Sequence, residues 1–206
     1  MRRLIALAVG MMVHVAWATD PVWTTVAPMP TARREFATVA LGGTIYAIGG
    51  YNGPGYTTIL GTVEAYDTAT NTWTTKASLP IPTNGIQGAS TGGTIYIAGG
   101  YPVLYGCCSA TLWAYDPVTD SWKAKAPMPT PRGLASTAAL DGRIYVIGGN
   151  NGLNLSTVEM YDPSVDTWVT GASMPTGRER LAITVSGRSI YAIGGGDPVS
   201  SSGEAY

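Results

Sequence analysis

The hexapeptide Ile45-Tyr46-Ala47-Ile48-Gly49-Gly50 returns as Ile95-Tyr96-Ile97-Ala98-Gly99-Gly100, as Ile144-Tyr145-Val146-Ile147-Gly148-Gly149 and as Ile190-Tyr191-Ala192-Ile193-Gly194-Gly195. A unit that returns at a near-constant spacing of 50, 49 and 46 residues is the signature of a repeat architecture. Three further markers keep the same beat. Trp23, Trp73, Trp122 and Trp168 share one register. Tyr66-Asp67, Tyr115-Asp116 and Tyr161-Asp162 share a second, with Tyr206 where a fourth pair is due. Met29-Pro30, Leu79-Pro80, Met128-Pro129 and Met174-Pro175 share a third.

Each unit reads as four short strands separated by turn residues. In the second unit the pattern predicts strands over Ile86 to Thr91, Thr94 to Ala98, Thr111 to Tyr115 and Ser121 to Ala126. Gly42-Gly43, Gly92-Gly93, Asp141-Gly142 and Ser186-Gly187 are pairs that tolerate the positive φ of two-residue hairpins. Asp-Pro at 116–117 and 162–163 places proline where a type I turn needs φ near its fixed value. The first strand of each unit uses small residues, as in Ala135-Ser136-Thr137-Ala138-Ala139, which suits the crowded inside of a ring. The fourth carries tryptophan, which suits the roomier outside. Helical periodicity is absent. Four antiparallel strands per unit of this length predict an all-β propeller, one blade per repeat.

The diglycine, the Tyr-Asp pair ahead of tryptophan and the Met-Pro behind it resemble the kelch repeat. Arg33, Arg132 and Arg178 match the arginine that often follows Met-Pro in that family, with Thr83 in its place in the second unit. The resemblance spans Val22 to Tyr206 and implies four blades, in units of about 22–76, 77–126, 127–171 and 172–206, the last incomplete. The chain opens with a fourth-type strand, Val22 to Ala27, and stops within a third-type strand, Gly203 to Tyr206. The family's usual rings have six or seven blades, so the expectation is a larger ring truncated at its C-terminus. A closed four-bladed ring is the alternative.

Residues 1–18 stand apart. Arg2 and Arg3 precede an apolar run from Leu4 to Trp17, and Ala16-Trp17-Ala18 puts small residues where a signal peptidase reads. This predicts a cleaved secretory signal ending at Ala18 and a secreted, periplasmic or extracellular product of residues 19–206. A retained anchor is the alternative. No other apolar run approaches spanning length. Without Arg2 and Arg3, ten basic residues face 13 acidic ones, a formal charge of −3. That gives little attraction for phosphate backbones, so nucleic acid is not an expected partner. Cys107 and Cys108 are the only cysteines. They form a vicinal disulfide, pair with a segment outside this sequence, or stay as thiols. Two adjacent cysteines without histidine or further cysteine are not a zinc site.

Strand direction places the Met-Pro–Arg loops and the long loops after each diglycine on one rim, with tight hairpins on the other. Function is expected on the long-loop rim, where a rigid scaffold presents variable loops. Its ligand-binding candidates are Tyr51, Asn52 and Tyr56 in the first loop, Tyr101 and Tyr105 in the second, and Asn150, Asn151 and Asn154 in the third. Tyrosine with asparagine offers flat apolar surface beside amide hydrogen bonding, which fits a glycan or a protein patch. The same residues also satisfy turn geometry and cap blade edges. Asn154-Leu155-Ser156 is an N-glycosylation acceptor sequence in a eukaryotic source. Glu64, Glu159 and Glu204 recur before each tyrosine, and such repetition assigns them to structure.

Glu35 and Arg180 hold matching positions two residues beyond the repeated arginine. In related propellers that position can line the channel, which makes the two catalytic candidates, for binding a polar ligand or for proton transfer; an inter-blade salt bridge or a solvated rim charge is the alternative. Galactose-oxidase-like relatives hold copper with tyrosine and histidine, but residues 19–206 contain no histidine. No motif implies a metal or cofactor, and the diglycines lead into loops rather than helices, against a dinucleotide site. The leading expectation is a non-enzymatic module that binds a protein or glycan through its rim. The alternative is a carbohydrate-active enzyme, similar to a sialic acid mutarotase, with chemistry in the central channel. Nothing in the sequence fixes an oligomeric state.

Overall fold

The computed structural model describes residues 23–53, 57–103, 106, 108–196 and 203–206. The predicted signal segment, Tyr56, Tyr105 and Cys107 lie outside the described residues. Every element among the described residues is a strand. The first sheet holds β1 (Ala37–Leu41), β2 (Thr44–Ile48), β5 (Val63–Asp67) and β6 (Thr72–Lys76). A small hairpin of β3 (Tyr51–Asn52) and β4 (Thr58–Ile59) interrupts it. The second sheet holds β7 (Gln87–Thr91), β8 (Thr94–Ala98), β9 (Leu112–Asp116) and β10 (Ser121–Lys125). The third holds β11 (Ser136–Leu140), β12 (Arg143–Ile147), β13 (Val158–Asp162) and β14 (Thr167–Thr170). The fourth holds β15 (Ala182–Ser186), β16 (Ser189–Ile193) and β17 (Gly203–Ala205).

Within each sheet the strands pair antiparallel in sequence order. The innermost strands pack in series, β1 on β7, β7 on β11 and β11 on β15. This is the radial order of propeller blades. Three apolar clusters fill the spaces between successive sheets. The first joins Val39, Tyr46 and Ile48 to Ile86, Ile95 and Tyr115; the other two repeat the plan one blade further on. A tyrosine pair crosses each seam edge-on or tilted: Tyr46 with Tyr115, Tyr96 with Tyr161, and Tyr145 with Tyr206, at centroid distances of 5.8, 5.7 and 6.0 Å. Each pair adds about 0.5–1.5 kcal/mol beyond area burial. In the fourth sheet Tyr191 and Ile193 stand in the places of Tyr46 and Ile48 but are exposed, at 39% and 51%.

The tryptophans are staples between blades. Trp122 donates its indole N–H to the carbonyl of Ala77 at 2.8 Å, and Trp168 does the same to Ala126 at 2.7 Å. The neighbouring turn residue closes the staple. Asp120 Oδ1 accepts both the Ala77 N–H and the Tyr115 hydroxyl, and Asp166 Oδ1 accepts the Ala126 N–H and the Tyr161 hydroxyl. Asn71 and Trp73 treat Ala27 in the same way.

Two expectations are corrected. The segment predicted as a strand from Val22 to Ala27 is not one over its described residues, 23–27: it sits where a staple receives it but pairs with no described sheet, and Trp23 is fully exposed. The fourth hairpin does not turn on Ser186-Gly187. Ser186 ends β15 in register with Ser189, so the turn is Gly187-Arg188, with positive φ at glycine alone.

The diglycines sit where two blades meet backbone to backbone. Gly50, Gly100 and Gly149 each donate an N–H to the carbonyl of Thr83, Arg132 and Arg178, one unit ahead. A methyl group on Gly49 would press into the Thr83 carbonyl, so close approach as well as positive φ requires glycine there.

Candidate functional site

The repeated arginines are not at the surface. Arg33, Arg132 and Arg178 have fully buried side chains, each paired at 2.7 Å with Glu64, Glu159 and Glu204. Arg132 also donates to the carbonyls of Gly148 and Thr157, and Arg33 to those of Gly49 and Thr62. Thr130 and Thr31 cap the carboxylates. These clamps tie the lead-in of the inner strand to the diglycine, which confirms a scaffolding role for the recurring glutamates. In the second unit both partners change together: Thr83 replaces arginine and Trp113 replaces glutamate.

One and two residues beyond these positions the backbone turns onto the rim. Glu35, Gly85, Leu134 and Arg180, one per blade, all adopt left-handed φ, at 50, 62, 53 and 52°. Three of them are charged or bulky residues for which this region is costly. What holds them is a relay of backbone hydrogen bonds. Gly85 N–H donates to Glu35 O at 2.9 Å, Leu134 N–H to Gly85 O at 2.8 Å, and Arg180 N–H to Leu134 O at 2.9 Å. This rail runs around the channel mouth. The residues just before it bridge to the long loops, Arg34 with Tyr51, Asn84 with Tyr101 and Gly133 with Asn150. The lead-in loops and the long loops therefore share one rim, as expected.

Behind the rail lies a cavity of about 200 Å³ lined by Glu35, Gln87, Leu134, Ser136 and Arg180 among others. Across its opening Arg180 Nη2 meets Glu35 Oε1 at 3.3 Å, although 145 residues separate them in sequence. Arg180 Nη1 meets Glu179 Oε1 at 3.1 Å. The two matching positions of the sequence thus face each other across the mouth.

The other candidates divide. The Tyr101 ring lies against Gly85 and Gly133, and its hydroxyl donates to Asn150 O at 3.2 Å. Burial, with nearby Cys108, Glu179 and Glu35 adding to it, pushes its phenol up to about 12. Tyr51 sits beneath the Arg34 guanidinium, 5.7 Å from the ring centre. Asn52 pairs with Thr58 in the small hairpin. Asn150 and Asn154 bond each other side chain to side chain at 3.1 Å, and Asn150 Oδ1 also accepts the Gly152 N–H, so these two brace their own loop. Asn151 is exposed. Sequence reasoning missed Arg34, Asn84, Gln87 and Glu179, none of which repeats; their signal was to stand beside the repeated arginine or to open the inner strand.

Comparison with known proteins agrees with this architecture. The solved chain described as "Structure of YjhT" superposes with a TM-score of 0.70 at 19% identity, covering 82% of this chain and 60% of that one. The chain therefore spans about 60% of the length of that structure. No curated protein matches it. The model of the KLHDC2/KLHL20/DRC7 Kelch-repeats domain matches residues 11–195. With that match over most of its length, and with arginine clamps, diglycine seams and tryptophan staples repeating blade by blade, the chain belongs to the kelch-repeat β-propeller family.

Proposed function

We propose that this propeller is a non-enzymatic binding module that captures a protein or glycan partner on its long-loop rim, and that a cleaved leader delivers it to the periplasm or the cell exterior. One observation carries the reading. The residues that repeat in every unit or nearly so are consumed by clamps, seams and staples inside the scaffold, whereas Arg34, Tyr51, Tyr101, Asn151, Glu179 and Arg180, at positions whose residue changes around the ring, gather on one rim. A rigid frame with variable side chains at one end suits recognition. Alanine at Tyr51 and Asn151 is expected to abolish retention of the partner co-purified with the mature chain, with the unfolding midpoint unchanged. Undiminished retention would remove the rim from consideration.

A second reading, a carbohydrate-active enzyme, draws on the Glu35–Arg180 pair, two charged groups held over a cavity on left-handed backbone. Exchange spectroscopy of a reducing sugar's anomers distinguishes the two. Acceleration by the wild-type chain that Glu35→Gln eliminates would establish chemistry in the channel.

A further inference from the structure

We propose that the channel mouth selects an uncharged, hydroxyl-rich ligand, because the charged groups that would attract an ion are already engaged, three in ion pairs and Arg34 over the Tyr51 ring. The proposal rests on the rim-binding reading and names the chemistry of the ligand that enters at the rim's centre.

The mouth carries four charges that sum to zero: Arg34, Glu35, Glu179 and Arg180. Each is already engaged. The Arg180 guanidinium is shared between Glu179 and Glu35, and Arg34 lies over the Tyr51 ring. The backbone rail fixes where Glu35 and Arg180 start, so the pair across the opening is built into the frame. It is still reachable, since the Arg180 and Glu35 side chains are 59% and 29% exposed.

An incoming anion competes with two carboxylates for the Arg180 guanidinium and is repelled by whichever it does not displace. An incoming cation has to compete with Arg180 for those carboxylates. Either exchange breaks a pair to make a pair. A hydroxyl avoids the exchange because it donates and accepts at once. It can donate to spare carboxylate lone pairs while the pair persists, and can also accept from the Gln87 amide in the cavity lining. Leu134 and Leu181 in the cavity lining supply apolar surface for the carbon face of a ring-shaped ligand. The cavity, at about 200 Å³, is below the range of about 300–1,000 Å³ typical for drug-sized ligands, which suits one ring rather than several.

Three methyl glycosides test this: methyl β-glucoside, methyl β-glucuronide and methyl β-glucosaminide share a ring and differ in charge. Titrations of the mature chain would follow the amide resonances of Gly85, Leu134 and Arg180. The glucoside is expected to give saturable shifts, with both charged glycosides weaker by about fivefold, the factor worth one exposed ion pair. The isosteric Glu35→Gln/Glu179→Gln variant releases Arg180 and is expected to reverse the order in favour of the glucuronide. Tighter binding of either charged glycoside by the native chain would overturn the proposal, and so would an unchanged order in the double variant. If no glycoside moves the rail while alanine at Tyr51 and Asn151 still abolishes partner retention, this inference fails and rim binding stands.

Discussion

Thr83 and Trp113 occupy, in the second blade, the two places that Arg132 and Glu159 hold in the third, and the change is reciprocal: a hydroxyl and an indole stand where the third blade has a buried ion pair. Thr83 is 5% exposed and turns its hydroxyl onto the Ile81 carbonyl, while the Trp113 ring joins the apolar cluster of the first seam. Both solutions support the same strand geometry. Removing one partner of a buried pair strands the other charge, so Arg132→Met is expected to lower unfolding free energy by about 3–5 kcal/mol. The double change Arg132→Thr/Glu159→Trp should cost less than Arg132→Met alone. Thr83→Arg should destabilise, and adding Trp113→Glu should recover part of the loss. Denaturant unfolding of the four variants checks the series.

The staples predict a smaller effect. Trp122→Phe keeps most of the ring and deletes the indole N–H that reaches Ala77. A cost of about 1 kcal/mol for the lost hydrogen bond is expected, with a somewhat larger loss from reduced ring area. Equilibrium unfolding followed by the fluorescence of the remaining tryptophans measures it.

Acid sensitivity should trace to the staple carboxylates. The Tyr115 hydroxyl, then the Ala77 N–H, hold Asp120 below the usual carboxylate range; the Tyr161 hydroxyl, then the Ala126 N–H, do the same for Asp166. Folded values below the unfolded one, about 3.9, mean that the stabilisation is present above that pH and is lost as pH falls through the folded values. The thermal midpoint is expected to drop on acidification below about pH 4. Asn71 fills the same role in the first blade without titrating. Asp120→Asn/Asp166→Asn should therefore shrink the drop while keeping the left-handed turn residues that asparagine tolerates.

Tyr101 gives a test confined to the rim. A methyl group at Gly133 would run into its ring, so Gly133→Ala is expected to lift the ring and break the bond to Asn150. Its phenol should then titrate nearer the ordinary value of about 10. In the native chain burial pushes it up to about 12. Ultraviolet titration against Tyr101→Phe isolates this group. An unmoved titration in Gly133→Ala would show that the ring is held by something other than this packing.

Much of the scaffold was legible because its parts repeat. The beat of diglycine, Tyr-Asp and tryptophan located the strands of the second blade to within about a residue, since period-two strands and their turns are local properties. Local reasoning also assigned Glu64, Glu159 and Glu204 to structure, but it could not supply their partners, because a carboxylate on a third strand and an arginine before a first strand meet only after the sheet has formed. The meeting of Glu35 with Arg180 was less legible still. Matching register showed equivalent places in two blades; that the side chains touch depends on how far the arc turns between them. The segment predicted as a strand over Val22 to Ala27 is unpaired over its described residues, 23–27, for a related reason, since a strand needs a neighbour and its pattern alone does not provide one.

The rail through residues 35, 85, 134 and 180 has a consequence for how such molecules diversify. Its bonds use only main-chain atoms, and it already accommodates an acid, a glycine, an aliphatic and a base. Mutation there can re-letter the doorway of the channel one blade at a time while the masonry stays put. Inherited ligand preference can drift quickly on an almost unaltered chassis.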